Sequence, residues 1–184
     1  MQYRDFSNTG WKVSEIGLGC WAIGSEWGDV TATDARGVLK TSLDNGVNFF
    51  DTADVYGDGR SEKFVGELIK STSEKIFVAT KAGRRLSPHT PEGYNLKNIE
   101  KFIDRSLTNL GVDCIDLLQL HCPPSEICPK KETYEMMDEL VKLGKIANYG
   151  VSVEKVSEAM DVIQFPNVKS IQIIFNIFRQ KPAE

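Results

Sequence analysis

Val47-Asn48-Phe49-Phe50-Asp51-Thr52-Ala53-Asp54-Val55-Tyr56-Gly57 is an apolar run that ends in a carboxylate, and a tyrosine follows it in a glycine-containing loop. A short apolar run bounded by turn residues reads as a buried strand, here residues 47–51. Asp51 then lies at the C-terminal end of that strand and Tyr56 on the loop beyond it. In parallel α/β folds, chemistry gathers at that edge of the sheet. The alternative is a helix-capping aspartate and a loop tyrosine held for packing, and two residues alone do not separate these readings.

On either side, the same unit repeats. Tyr3–Phe6 and Lys12–Ser14 flank Asn8-Thr9-Gly10 and predict a small hairpin. Ile16–Cys20 reads as a first short strand, followed by a loop carrying Trp21 and Trp27. A helix is expected over Thr31–Asn45, with Thr31 and Asp34 as a capping pair, Ala35, Val38, Leu39 and Ser42 on one face, and Gly46 as the stop. Further helices are expected over Ser61–Lys70, Leu96–Leu110, Lys131–Leu143 and Glu154–Gln164. Strands are expected at Lys75–Thr80, Ile115–Leu120, Ile146–Val151 and Val168–Phe175. Strand and helix therefore alternate, and the strands are apolar on both faces, as in a parallel sheet covered by helices. An open doubly wound sheet and a β/α barrel both fit. Gly17-Leu18-Gly19-Cys20-Trp21-Ala22 does not open a helix, which weakens the dinucleotide-binding sheet, and the even repeats favour the barrel.

The 184 residues predict one domain, 1–184, with room for a real core. A formal net charge of −4 and no long basic run argue against nucleic acid as a partner. No run approaches the ~18 apolar residues of a membrane span, and the N-terminal residues lack the apolar core of a signal peptide. Cys20, Cys114, Cys122 and Cys128 include no Cys-x-x-Cys pair, which fits a reducing cytoplasm. Cys122 and Cys128 near His121 lack metal-ligand spacing, so no metal is expected.

The strand ends carry the chemistry. They are Asp51, with Tyr56 beyond it, then Lys81, His121 and Ser152, and the last strand contains Gln172. A barrel brings these ends to one face. A phenol titrates near ~10, too high for an efficient acid at neutral pH. A neighbouring ammonium favours the phenolate and lowers that value. A carboxylate holds the ammonium, and a histidine can donate to a carbonyl oxygen. Such a set can polarise a carbonyl and protonate the alkoxide formed after hydride attack.

Phe49–Gly57, Ala79-Thr80-Lys81, Asp116–His121 and Gly150-Val151-Ser152 together resemble the signature of the aldo-keto reductase family. The resemblance runs from the hairpin to Pro182, and Ile173–Pro182 is similar to the bacterial, oxidoreductase-type branch. It implies a β/α (TIM-type) barrel, a nicotinamide cofactor, usually NADP (NADPH), and an aldehyde or ketone substrate. It also implies a catalytic tetrad. Tyr56 would be the general acid, Lys81 its tuner, Asp51 the partner of the lysine and His121 the residue that orients the carbonyl. Asp51, Ser152 and Gln172 match positions at the ribose and nicotinamide end of the cofactor. Val153 stands where many members have an asparagine, which removes one expected contact.

The family barrel has eight strands and typically needs ~200 or more residues. The chain is therefore expected to be a C-terminally truncated member, with about six strand-helix units. The segment beyond would normally grip the cofactor phosphates, so weak cofactor binding is expected. An inactive or partner-binding module is the alternative to a reductase. Self-association through open barrel edges is expected as well.

Overall fold

The structure, a computed structural model, describes residues 1–24 and 28–184. An antiparallel hairpin, β1 (Tyr3–Phe6) and β2 (Trp11–Ser14), precedes the main sheet. Six parallel strands follow, in the spatial order of the sequence: β3 (Leu18–Gly19), β4 (Phe49–Asp51), β5 (Phe77–Ala82), β6 (Ile115–His121), β7 (Ile146–Val153) and β8 (Val168–Ile173). Five helices connect them: α1 (Ala32–Asp44), α2 (Arg60–Ser71), α3 (Leu96–Leu110), α4 (Lys131–Lys142) and α5 (Val156–Val162). The sheet curls as part of a barrel, with β3 and β8 at its edges. Strand order that follows chain order is what successive right-handed β-α-β crossovers produce.

The hairpin closes one end of the sheet. Phe6 packs on Phe49 with ring centroids 5.4 Å apart, and Trp11 stacks on Phe77 at 4.7 Å. Both contacts involve the first residue of a sheet strand. Asn48 locks the junction: its side chain accepts from the Ser14 amide at 2.7 Å and donates to the Lys12 carbonyl at 2.9 Å. Apolar packing therefore fills the N-terminal end of the strands and leaves the C-terminal end for function.

Helix boundaries follow local chemistry. Thr31 and Asp34 form the expected capping box on α1. The buried face of α1 is Ala35, Leu39 and Leu43, whereas Val38 is exposed, because the stripe runs through i, i+4 and i+8. Asn95 caps α3 by accepting from the Asn98 amide at 3.1 Å. The last expected elements are longer than the observed ones. α5 spans Val156–Val162 instead of 154–164, and β8 stops at Ile173 instead of Phe175. Beyond β8 the chain turns on itself, with Asn176 and Arg179 paired across the turn, and leaves Phe175 exposed.

Parallel pairing sets one register across the sheet. Gly19 pairs with Asp51 and Asp51 with Ala79. Further along, His121 pairs with Ser152 and Ser152 with Gln172. The β7–β8 pair tightens at Gly150, where a Cβ would lie 2.4 Å from the Ser170 backbone oxygen and 2.1 Å from its hydroxyl. Backbone cannot step aside as a side chain can. Gly150→Ala is therefore expected to overpack this seam and lower stability by roughly 1–3 kcal/mol, read from the urea midpoint.

Candidate active site

The site is built where β4 hands the chain to the loop above β5. Thr52 donates its amide to the Ala79 carbonyl at 2.8 Å, and Asp54 donates to the Lys81 carbonyl at 3.2 Å, so this loop lies on the end of β5. Beneath it, Thr52 Oγ1 and Ser61 Oγ are 2.8 Å apart, and Ser61 donates to the Cys20 carbonyl at 2.8 Å. The buried Glu62 accepts from Thr80 at 2.6 Å and from Asn109 at 2.9 Å. These bonds fix the platform under Tyr56.

Lys81 is buried with 1% of its surface exposed. Its ammonium has three acceptors: Asp51 Oδ1 at 2.6 Å, the Thr52 carbonyl at 2.9 Å and the Tyr56 hydroxyl at 3.4 Å. An ammonium carries three donors, so this buried cation is fully matched. Gln172 Nε2 donates to the second oxygen of Asp51 at 2.9 Å. Tyr56 meets His121 edge-on with centroids 5.9 Å apart, and Trp21 stacks on Tyr56 at 6.1 Å.

His121 is buried, and its Nδ1 has no hydrogen-bond partner. Burial, followed by the positive charges of Lys81, Arg84 and His89, pushes its imidazole down to about 3. The ring is therefore neutral at physiological pH. Cys20 lies beside the ion pair, and burial, reinforced by Asp51, pushes its thiol up to about 12, so it stays protonated and unreactive.

These groups open onto a cleft of about 510 Å³ lined by Trp21, Tyr56, His121, Ser152 and Gln172. Each expected site residue is thus at or beside the cleft, with Lys81 and Asp51 behind Tyr56. Trp21, on the loop after the first strand, lines it, and Trp27 lies outside the described residues. Arg84 and Cys122 also line the cleft, and the sequence reading did not place them there. Both sit within two residues of the end of a strand, Arg84 after β5 and Cys122 after β6. Among the described residues no group of three or more His, Cys, Asp or Glu is placed to hold a metal ion. No helix among them is long and apolar enough to cross a membrane.

The Tyr56 loop is clamped by charge. Gly57 and Asp58 adopt left-handed φ of 56° and 54°. At Gly57 a Cβ would lie 2.2 Å from the Gly24 carbonyl oxygen, which only glycine tolerates. Asp58 pairs with Arg85 and with Arg105, the latter at 2.8 Å. Asp54 is fully buried beneath them, and neither of its oxygens makes a hydrogen bond. Arg85 Nε, 3.5 Å away, is poorly aligned and offsets only part of the burial cost. Burial, followed by the charge of Glu62, pushes the Asp54 carboxyl up to about 7.

The family follows from comparison with known proteins. Residues 15–184 match the family model described as "Aldo/keto reductase family". The chain belongs to the aldo/keto reductase family. It is 34% identical over 187 residues to the uncharacterized oxidoreductase YqkF of Bacillus subtilis, covering 100% of this chain and 59% of that protein. It is 33% identical over 172 residues to the aldo-keto reductase yakc [NADP(+)] of Schizosaccharomyces pombe, covering 90% of this chain and 50% of that protein. The holo form of the aldo-keto reductase AKR11C1 from Bacillus halodurans superposes with a TM-score of 0.86 at 32% identity, covering 100% of this chain and 60% of that one. The chain thus spans half to three fifths of the length of these relatives.

Asp54 gives a test of the clamp. An unfolded aspartate titrates near ~3.9. Between that value and about 7 the native carboxyl holds a proton that the unfolded one has lost, so stability falls as pH rises through this window. Asp54→Asn is expected to remove that fall and to be more stable than the parent at pH 8, by up to roughly 4 kcal/mol at about 1.4 kcal/mol per unit. Urea unfolding at pH 5 and pH 8 measures the difference between the two proteins.

Proposed function

We propose that the chain is the catalytic part of a reductase of aldehydes and ketones that uses NADPH, with Tyr56 as the general acid. The observation that carries this reading is the Lys81 ammonium, held between Asp51 and the Tyr56 hydroxyl behind a cleft that also exposes His121. The relative named for NADP(+) supports the choice of cofactor.

The residues fit the nicotinamide end of such a cofactor. Ser152 offers a hydroxyl and Gln172 an amide on the cleft wall, and these complement a carboxamide. Gln172 spends one donor on Asp51, which leaves its remaining N–H and its carbonyl oxygen for a ligand. When bound, the cofactor supplies a hydride to the carbonyl carbon. The chain's own residues handle the oxygen. His121, neutral and facing Tyr56 across the cleft, donates to the carbonyl oxygen and orients it. Tyr56 gives its proton to that oxygen as negative charge develops there. Lys81 stabilises the phenolate left behind, and Asp51 keeps the ammonium in place.

The test is NADPH-dependent reduction of 4-nitrobenzaldehyde by the chain, alone and joined to the segment that follows the matched region in the Bacillus subtilis relative. Tyr56→Phe is expected to lower kcat/KM by roughly 10²–10⁴-fold while cofactor affinity stays unchanged. Turnover at the parent rate in this variant would remove Tyr56 as the acid.

We propose also that this chain, taken by itself, associates through its sheet edges. β3 and β8 each have one strand neighbour among the described residues. Beyond β8, Ile177 and Phe178 are 79% and 93% exposed. Unpaired edges beside apolar surface recruit other chains. Light scattering between micromolar and near-millimolar concentration is expected to show mass rising with concentration. A constant monomer mass would contradict it.

A further inference from the structure

The arginines of this protein are almost all committed. Arg36 pairs with Glu67, Arg85 and Arg105 with Asp58, and Arg4 with Glu15. Arg60 donates to the carbonyls of Ile23 and Val30, and Arg179 to that of Glu154. Arg84 differs: it makes no hydrogen bond or ion pair among the described residues, it is exposed, and it lines the cleft with Tyr56 and His121. It also lines an adjoining hollow with His89, Cys122, Lys155, Glu154 and Glu158. Lys155 already pairs with Glu158, and His89 bonds the Tyr94 hydroxyl. Arg84 is therefore the uncommitted cation at the mouth of the site.

Arg84 and the residues of the nicotinamide side line the same cleft from different strands. Arg84 follows β5, whereas Ser152 and Gln172 lie on β7 and β8, on the far side of β6. We infer that Arg84 forms an anion subsite for the substrate, so that the preferred carbonyl compounds carry a carboxylate or phosphate at the end remote from the reacting group. This rests on the reductase reading for the identity of the ligand, but not for the existence of the subsite. A guanidinium offers paired donors that match such groups. Arg84 is among the charges that depress the His121 imidazole, so its cation acts across that end of the cleft. Glu154 is the one carboxylate among the described residues lining the cleft, and it is the competitor for Arg84.

The experiment compares 4-carboxybenzaldehyde with its neutral 4-carboxamide analogue in reduction. In parallel, calorimetry compares 4-(hydroxymethyl)benzoate with 4-(hydroxymethyl)benzamide in binding, which needs no turnover. The charged member is expected to bind about tenfold better, the size of one charge-assisted contact. Arg84→Gln should erase the preference, Arg84→Lys should keep part of it, and Glu154→Gln should strengthen it. Added salt should weaken it. Equal binding of both members, failure of both to bind, or a preference that survives Arg84→Gln overturns the subsite, as does a loss in Arg84→Gln confined to NADPH affinity. A binding preference without reduction by the chain joined to the following segment leaves the subsite standing and sinks the reductase reading, whereas reduction without preference does the reverse.

Discussion

The Lys81 ammonium is the constraint on which the site depends. A lysine buried to this degree is costly unless each of its protons meets an oxygen. Here the three acceptors come from the end of β4, from the loop after it and from Tyr56. Satisfying one cation therefore fixes the relative positions of a carboxylate, a backbone turn and a phenol. The loop has little freedom to relax otherwise, because the same turn hangs from the β5 carbonyls of Ala79 and Lys81. Site geometry and local folding are one problem, solved by the same bonds.

The sheet contributes through register. Parallel pairing aligns His121, Ser152 and Gln172 in one row across three strands. Alternate residues point to opposite faces of a strand, so a slip by one residue would turn this row to the wrong side. Gly150 sits two residues before Ser152, where β8 crosses so closely that a Cβ has no room. The register irregularity between Tyr149 and Gly150 lies at the same point. Close packing at that seam is part of what holds Ser152 beside Gln172.

Much of this was legible in the sequence. The alternation of short apolar runs with helical periodicities gives the parallel sheet, because strands buried on both faces need no polar alternation. The strand-end positions of Asp51, Lys81 and His121 could be read from where each apolar run stops. Arg84 and Cys122 could not be read, since nothing in a loop's composition says which way its side chains turn. Asp54 was hidden for another reason. A carboxylate in a glycine-containing loop ordinarily faces water, yet here it is fully buried because Arg85 and Arg105 draw the loop down over it. The expected extension of β8 to Phe175 failed because apolar character persists past the point where pairing ends. β7 stops at Val153, the partner of Ile173, and beyond that pair the chain turns at Asn176.

Gln172 ties the curvature of the sheet to the ion pair. It lies on β8, yet it donates to Asp51 on β4, a bond between residues 121 positions apart. In sheet order β5, β6 and β7 lie between those strands, so such a contact exists only if the sheet curls until its faces converge. One amide therefore reports barrel-like curvature and at the same time orients the carboxylate that holds Lys81. An Asp51 with its second oxygen bound cannot rotate away from the ammonium without losing two bonds. The curvature of the sheet thereby reaches Tyr56 through Gln172, Asp51 and Lys81 in sequence. Gln172 on the edge strand β8 consequently bears on the phenol through this chain of bonds.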